Sequence, residues 1–168
     1  ADIPKIMALD PDLVLTFSDL QADIVSELIR KGVTVMAYNQ RDIAGIFAMI
    51  RHLGSLVGAT NEAEKLASGY EARLSKLANA RAHAPRPKVY FEEWDEPMIS
   101  GIKWVSELVE IAGGRDVFPH LSVHKAATDR FVQSADVIKA SPDVILASWC
   151  GKKVRPEKIA ARAGWQDI

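Results

Sequence analysis

The chain is 168 residues long, 48% hydrophobic and 26% charged, and its 21 basic against 22 acidic residues leave a formal charge of −1. That length and apolar content can build a sizeable core in one domain or two small ones, and the balanced charge excludes the basic footprint of a nucleic-acid binder or of a protein held to an anionic membrane. A single cysteine, Cys150, excludes an internal disulfide without deciding the compartment, and no apolar run in these residues is long enough for a membrane span or arranged as an export signal.

Lys5–Leu9 reads as a short apolar helical turn, Asp10-Pro11-Asp12 as a corner and Leu13–Phe17 as a buried strand. Ser18 and Gln21 have the spacing of a capping box, which predicts a helix with Leu20, Ile24, Leu28 and Ile29 as its buried stripe. Arg30 and Lys31 bring positive charge to its last turn, and Gly32 supplies the left-handed cap. Val33–Tyr38 then predicts a second strand, parallel to the first, in a β-α-β unit.

Asp42 suits the cap of a helix whose apolar positions, Ile43, Ile46, Phe47, Ile50, Leu53 and Val57, recur at helical spacing up to Gly58. Asn61, with Glu64 at the reciprocal capping position, opens a helix reaching Ala82, a rod of about 33 Å at about 1.5 Å per residue. Pro85 and Pro87 end it, and Lys88–Glu92 is predicted as the extended run that follows. Trp104, Val105, Leu108, Val109 and Ala112 mark a helix stopped by Gly113 and Gly114. Gly114–Arg130 reads as an irregular connection, Ser134–Ala140 as a short helix, Val144–Ser148 as a strand and Pro156–Ala163 as a helix with proline in its first turn.

Asp136–Leu146 repeats the pattern of Lys5–Leu15: apolar helical turn, Pro-Asp corner, strand. The repeat predicts an α/β protein of two similar lobes with parallel sheets, a first lobe over 1–60 and a second over 85–168, joined by the rod over 61–84. Each lobe lacks a portion that the other has, so the segment is expected to be the middle of a longer protein.

With lobes and rod in place, the sequence resembles the cobalamin- and iron-siderophore-binding branch of ABC-transporter substrate-binding proteins. The resemblance is carried by Ile6–Leu15, Asn61–Ala82, Ile99-Ser100-Gly101 followed by Trp104–Gly114, and Ser141–Gly151. Phe91–Pro97 and Ser148–Lys153 are most similar to members labelled cobalamin-binding. It implies two Rossmann-like lobes on one long backbone helix and a carrier rather than an enzyme, with no catalytic residues and no catalytic cofactor. The implied transported ligand is a corrinoid or a ferric chelate such as a siderophore or haem. The implied partner is an ABC permease dimer, the implied state a monomer, and the implied location periplasmic or extracellular with a lipid anchor. The family docks through an acid on each lobe; at those places stand Pro4 and Ala135, with Asp2 and Asp136 close by.

In open parallel sheets ligands collect at the carboxyl ends of strands, a rule that selects Ser18–Gln21, Tyr38–Arg41, Glu93–Pro97 and Trp149–Lys153. Candidate ligand contacts are therefore Asp19, Gln21, Tyr38, Arg41, Trp94, Asp95, Trp149 and Cys150. Each has a plainer reading: Gln21 as a cap, Arg41 as a solvated cation, Asp95 as part of an exposed acidic cluster, the aromatics as core, Cys150 as a small buried thiol. His120 and His124 have the spacing of a helical metal pair, but Pro119 argues against a helix there and no metal site is predicted. An enzyme or sensor on a related two-lobe scaffold is the alternative class. Against the enzyme stands the absence from the sequence of G-x-G-x-x-G, of a P-loop and of a cysteine cluster.

Overall fold

The computed structural model describes residues 1–166 and 168, and the chain forms two small α/β units bridged by a long helix. In the first unit, helix α1 (Ile3–Ala8) is capped by Asp2, whose carboxylate accepts from Lys5 N at 3.1 Å, and has Pro4 in its first turn. Strand β1 (Val14–Phe17) leads through α2 (Ala22–Arg30) into β2 (Val35–Tyr38), and the strands pair in parallel with Val14 opposite Val35 and Phe17 opposite Tyr38. The predicted β-α-β unit is thus present. Its capping box differs, because Ser18 caps a 3-10 turn over Asp19–Gln21 ahead of α2, and Gln21 Oε1 accepts from Phe17 N at 2.8 Å. That turn carries Leu20 outward to 91% exposure, and Ile29 is 57% exposed, so neither joins the predicted stripe, whose buried member is Leu28.

Helix α3 (Ile43–Leu56) is capped by Asp42, whose carboxylate accepts from Gly45 N at 2.8 Å. It packs on α4 (Thr60–Arg81), the predicted rod, which at about 1.5 Å per residue spans about 33 Å. The contact is close enough that a Cβ built on Gly54 would lie 2.2 Å from Ala63 Cβ. Phe47 stacks on Tyr70 at 6.5 Å between ring centres. Glu64 does not cap α4 as predicted: Ala59 holds the cap position, and the Glu64 carboxylate faces Arg51 of α3, which also takes Glu71.

The second unit is built on β3 (Lys88–Asp95), longer than the predicted run because it turns back into β4 (Met98–Ser100) as an antiparallel hairpin with a register shift between Glu92 and Trp94. Helix α5 (Lys103–Ile111) leads to β5 (Arg115–Asp116), which pairs in parallel with the start of β3. The connection read as irregular therefore holds β5, the short α6 (Pro119–Ser122) and a 3-10 turn over Ala127–Arg130. Their signals are too short for periodicity to register. Helix α7 (Ser134–Ala140), β6 (Val144–Ala147) and α8 (Pro156–Ala160) follow, with β6 parallel to β3. The helices before the repeated Pro-Asp corners end alike, since Asp10 and Ser141 adopt positive φ of 46° and 47°. The main core lies in this unit, where Tyr90, Phe118, Val132, Val137, Trp149, Ile159 and Trp165 pack together.

Candidate functional site

A cleft of about 560 Å³ runs between the units at the carboxyl ends of β1, β2, β3 and β6. The first unit contributes Phe17, Asp19, Leu20, Gln40 and Arg41; β3 contributes Phe91 and Glu93, and the segment after β6 contributes Ser148 and Cys150. Ile102, Trp104 and Val105 of α5 and its approach, together with Lys125–Thr128 and Arg130, complete the wall. Strand alternation sorts these side chains: Phe91 and Glu93 face the cleft, whereas Tyr90 and Glu92 are wholly buried on the other face.

Four of the charges in the cleft are held in two pairs. Arg41 Nη2 donates to Asp19 Oδ1 at 3.1 Å, and its guanidinium lies 5.7 Å from the centre of the Phe17 ring. Arg130, only 2% exposed, reaches Glu93 Oε2 at 2.6 Å and Oε1 at 3.3 Å and also donates to the Ser100 carbonyl. Lys125 has no ion-pair partner among the described residues, so it adds an unpaired positive charge to the wall.

Behind the cleft the units are tied directly. Trp104 N donates to the Arg41 carbonyl at 2.9 Å, Ile43 N donates to Glu107 Oε2 at 2.8 Å, and Lys103 Nζ meets Asp42 Oδ2 at 2.8 Å. The Lys103 hydrogen bond, with that from Gly45 N, holds the Asp42 carboxyl below the usual carboxylate range. Arg41 thus offers its side chain to the cleft and its backbone to the opposite unit.

Beside the cleft lies a second cavity of about 440 Å³, lined by Trp94, Pro97, Ile99 and Phe131 and sharing Glu93, Ala127, Thr128 and Cys150 with the first. Trp94 is fixed in place, because its Nε1 donates to the Glu96 carbonyl at 3.0 Å and Lys152 Nζ sits 3.9 Å from its ring centre. Lys152 also pairs with Asp95. Burial would raise the Asp95 carboxyl, but the Lys152 bond and neighbouring backbone and charge contributions outweigh it and leave it low.

Of the residues singled out in the sequence, Asp19, Arg41 and Cys150 line the cleft, and Trp94 lines the adjoining cavity. The others are placed elsewhere. Gln21 spends its side-chain oxygen on Phe17 N. Tyr38, 6% exposed, lies edge-on to His52 of α3 at 6.0 Å and does not line the cleft. Asp95 is 5% exposed and turned to Lys152, past the register shift in β3. Trp149 belongs to the core, with Nε1 donating to Glu92 Oε1 at 2.9 Å, while its neighbours Ser148 and Cys150, in the segment after β6, line the cleft. His120 sits edge-on to Phe118 at 6.2 Å in a helix that ends before His124. Gln40 and Glu93 also line the cleft, within the selected segments Tyr38–Arg41 and Glu93–Pro97 though not named as contacts, whereas Phe17, Trp104, Lys125 and Arg130 lie outside every selected segment. The acidic cluster was a signal for Glu93, whereas Arg130 lay in the connection where periodicity carried none.

A family profile described as "Periplasmic binding protein" matches residues 1–168. The chain is 23% identical over 150 residues to a "Cobalamin-binding protein" of Halobacterium salinarum, covering 86% of this chain and 40% of that protein. Among solved structures it is similar to an ABC transporter substrate-binding protein from Listeria monocytogenes EGD-e, with a TM-score of 0.80 and 22% identity over 98% of this chain and 66% of that one. Staphylococcus aureus IsdE complexed with heme gives a TM-score of 0.75 and 19% identity over 98% and 66%. The periplasmic vitamin B12 binding protein BtuF of Vibrio cholerae gives 0.67 and 23% over 88% and 57%. The chain thus spans two fifths of the length of its curated relative and about two thirds of the first of these structures, and the structural likenesses show the fold.

Proposed function

We propose, for a chain that belongs to the periplasmic binding protein family, that the protein is the substrate-binding component of an ABC importer and carries a corrinoid in the cleft between its lobes. The observation that carries this reading is the cleft itself, in which Phe17, Phe91 and Trp104 from both units present apolar faces beside the paired Arg41 and Asp19. A large, flat, amide-rich macrocycle asks for such a surface, broad and apolar with few fixed polar contacts. The relative named for cobalamin supports the choice. A ferric chelate is the second reading, favoured by the unpaired Lys125, since haem and many ferric siderophores carry negative charge.

The division into a lobe over 1–60, a rod over 61–84 and a lobe over 85–168 is supported by α4 standing between two separate sheets. A single stiff helix with direct ties at its back favours closure by a few degrees over wide opening. Delivery to a permease dimer by a monomeric carrier outside the cytoplasm completes the proposal. No helix among the described residues is long and apolar enough to cross a membrane.

The test is titration of cobalamin, cobinamide, haem and ferric siderophores into the full-length protein, read by tryptophan fluorescence and melting temperature. Corrinoids are expected to quench Trp104 and to raise the melting temperature by mass action. A response to haem or a siderophore alone moves the assignment to the ferric reading, and no response to any of them overturns the carrier.

A further inference from the structure

The cavity beside the cleft differs from it in chemistry. The cleft holds Asp19, Arg41, Lys125 and Arg130, whereas the neighbouring space is walled by Trp94, Pro97, Ile99 and Phe131. The two are continuous, since Glu93, Thr128 and Cys150 border both. A ligand seated in the cleft therefore has an apolar outlet on the β3–β4 hairpin side.

We propose that this outlet is a subsite for an uncharged planar aromatic arm of the ligand whose body occupies the cleft. Trp94 is a prepared platform. Its indole N–H is already satisfied by the Glu96 carbonyl at 3.0 Å, so stacking against the ring leaves no donor stranded. Lys152 covers the ring at 3.9 Å and is itself neutralised by Asp95, which fixes the indole without leaving net charge behind it. Phe131, 43% exposed, stands across the same cavity and offers a second apolar wall. A charged arm would be poorly matched, because the nearest ionic groups, Arg130 with Glu93 and Lys152 with Asp95, are engaged with each other. An aromatic ring gains from burial and from stacking together.

The proposal rests on the reading of the cleft as a corrinoid site, and its test separates the two. Cobalamin carries a benzimidazole base on a side arm, and cobinamide has the same macrocycle without it. In the full-length protein, Trp94→Ala is expected to weaken cobalamin binding about ten-fold while leaving cobinamide within about two-fold, and Trp94→Phe is expected to restore most of the loss. Phe131→Ala, on a different element, should discriminate in the same direction and replaces Trp94→Ala if that variant does not fold. Equal effects on both ligands, or no effect on either, overturn the subsite and leave corrinoid binding standing. Failure of the unaltered protein to bind either ligand overturns both assignments.

Discussion

Arg162 grips Glu92 with both terminal nitrogens, at 2.6 Å and 3.1 Å, across 70 residues of chain. Glu92 is wholly buried and also accepts from Trp149 Nε1 at 2.9 Å and Tyr90 Oη at 3.2 Å, so its carboxylate is fully engaged. Burial, and then the Glu92 charge, push the Tyr90 phenol well above its ordinary value, which keeps it a donor. Arg162→Met leaves that carboxylate buried without its counterion, at an expected cost of about 3–5 kcal/mol. Urea unfolding measures it, and an unchanged midpoint would contradict the account.

Trp149 belongs to the same buried network, which predicts a structural role for it rather than a ligand contact. Trp149→Phe keeps most of the core volume but removes a hydrogen bond to a buried carboxylate, for an expected loss of about 1–3 kcal/mol. Corrinoid affinity should shift by less than about three-fold. A selective collapse of affinity at unchanged stability would place Trp149 in the binding surface after all.

The close contact between α3 and α4 predicts a steric limit at Gly54. A methyl there would sit 2.2 Å from Ala63 Cβ and 2.9 Å from the Ala59 carbonyl, neither the end of a flexible side chain. Gly54→Ala is expected to cost about 1–3 kcal/mol through forced separation of the helices. Calorimetry of the variant tests this, since a melting temperature at or above that of the parent would mean that the helices yield freely.

Acid should loosen the hold of α3 on α4 and of the first unit on α5. Hydrogen bonds from Arg51 and then Ser68 hold the Glu64 carboxyl down from 4.5 to about 2, and Lys103 lowers that of Asp42 from 3.8. A carboxyl depressed in the folded state stabilises fully above its unfolded value and loses that contribution as pH falls through the folded one. The loss therefore begins below about pH 4.5 and continues toward pH 2. These groups face solvent, so the effect is modest and shrinks in about 1 M salt. Melting temperature followed across that range should fall less steeply in Arg51→Gln than in the parent, and parallel curves would remove Arg51 from the explanation.

Periodicity and punctuation made the frame legible. Leu13–Phe17, the helix after Asp42, the rod and the Pro-Asp repeat are local signals, and each became an element close to its predicted bounds. The hairpin at Met98–Ser100 and the turn at Ala127–Arg130 were not legible, because short strands and 3-10 turns gain their stability from partners distant in sequence. Leu20 shows the same limit from the other side: its helical spacing predicted burial, and a 3-10 turn at the cleft edge turned it outward instead.

The sequence by itself determined that there are two similar units and that a rod separates them, and it pointed to their strand ends as the place proposed for a ligand. Those properties follow from hydrophobic spacing, proline and glycine, which act within a few residues. Only the tertiary structure decided which side chains at those ends reach the cleft. It set Cys150 in the cleft and its neighbour Trp149 in the core, and brought Arg130 to Glu93 across 37 residues. The reason is that which side of a segment meets the other unit is set by packing between segments far apart in the chain, as in β3, where Glu93 faces the cleft and Glu92 the core.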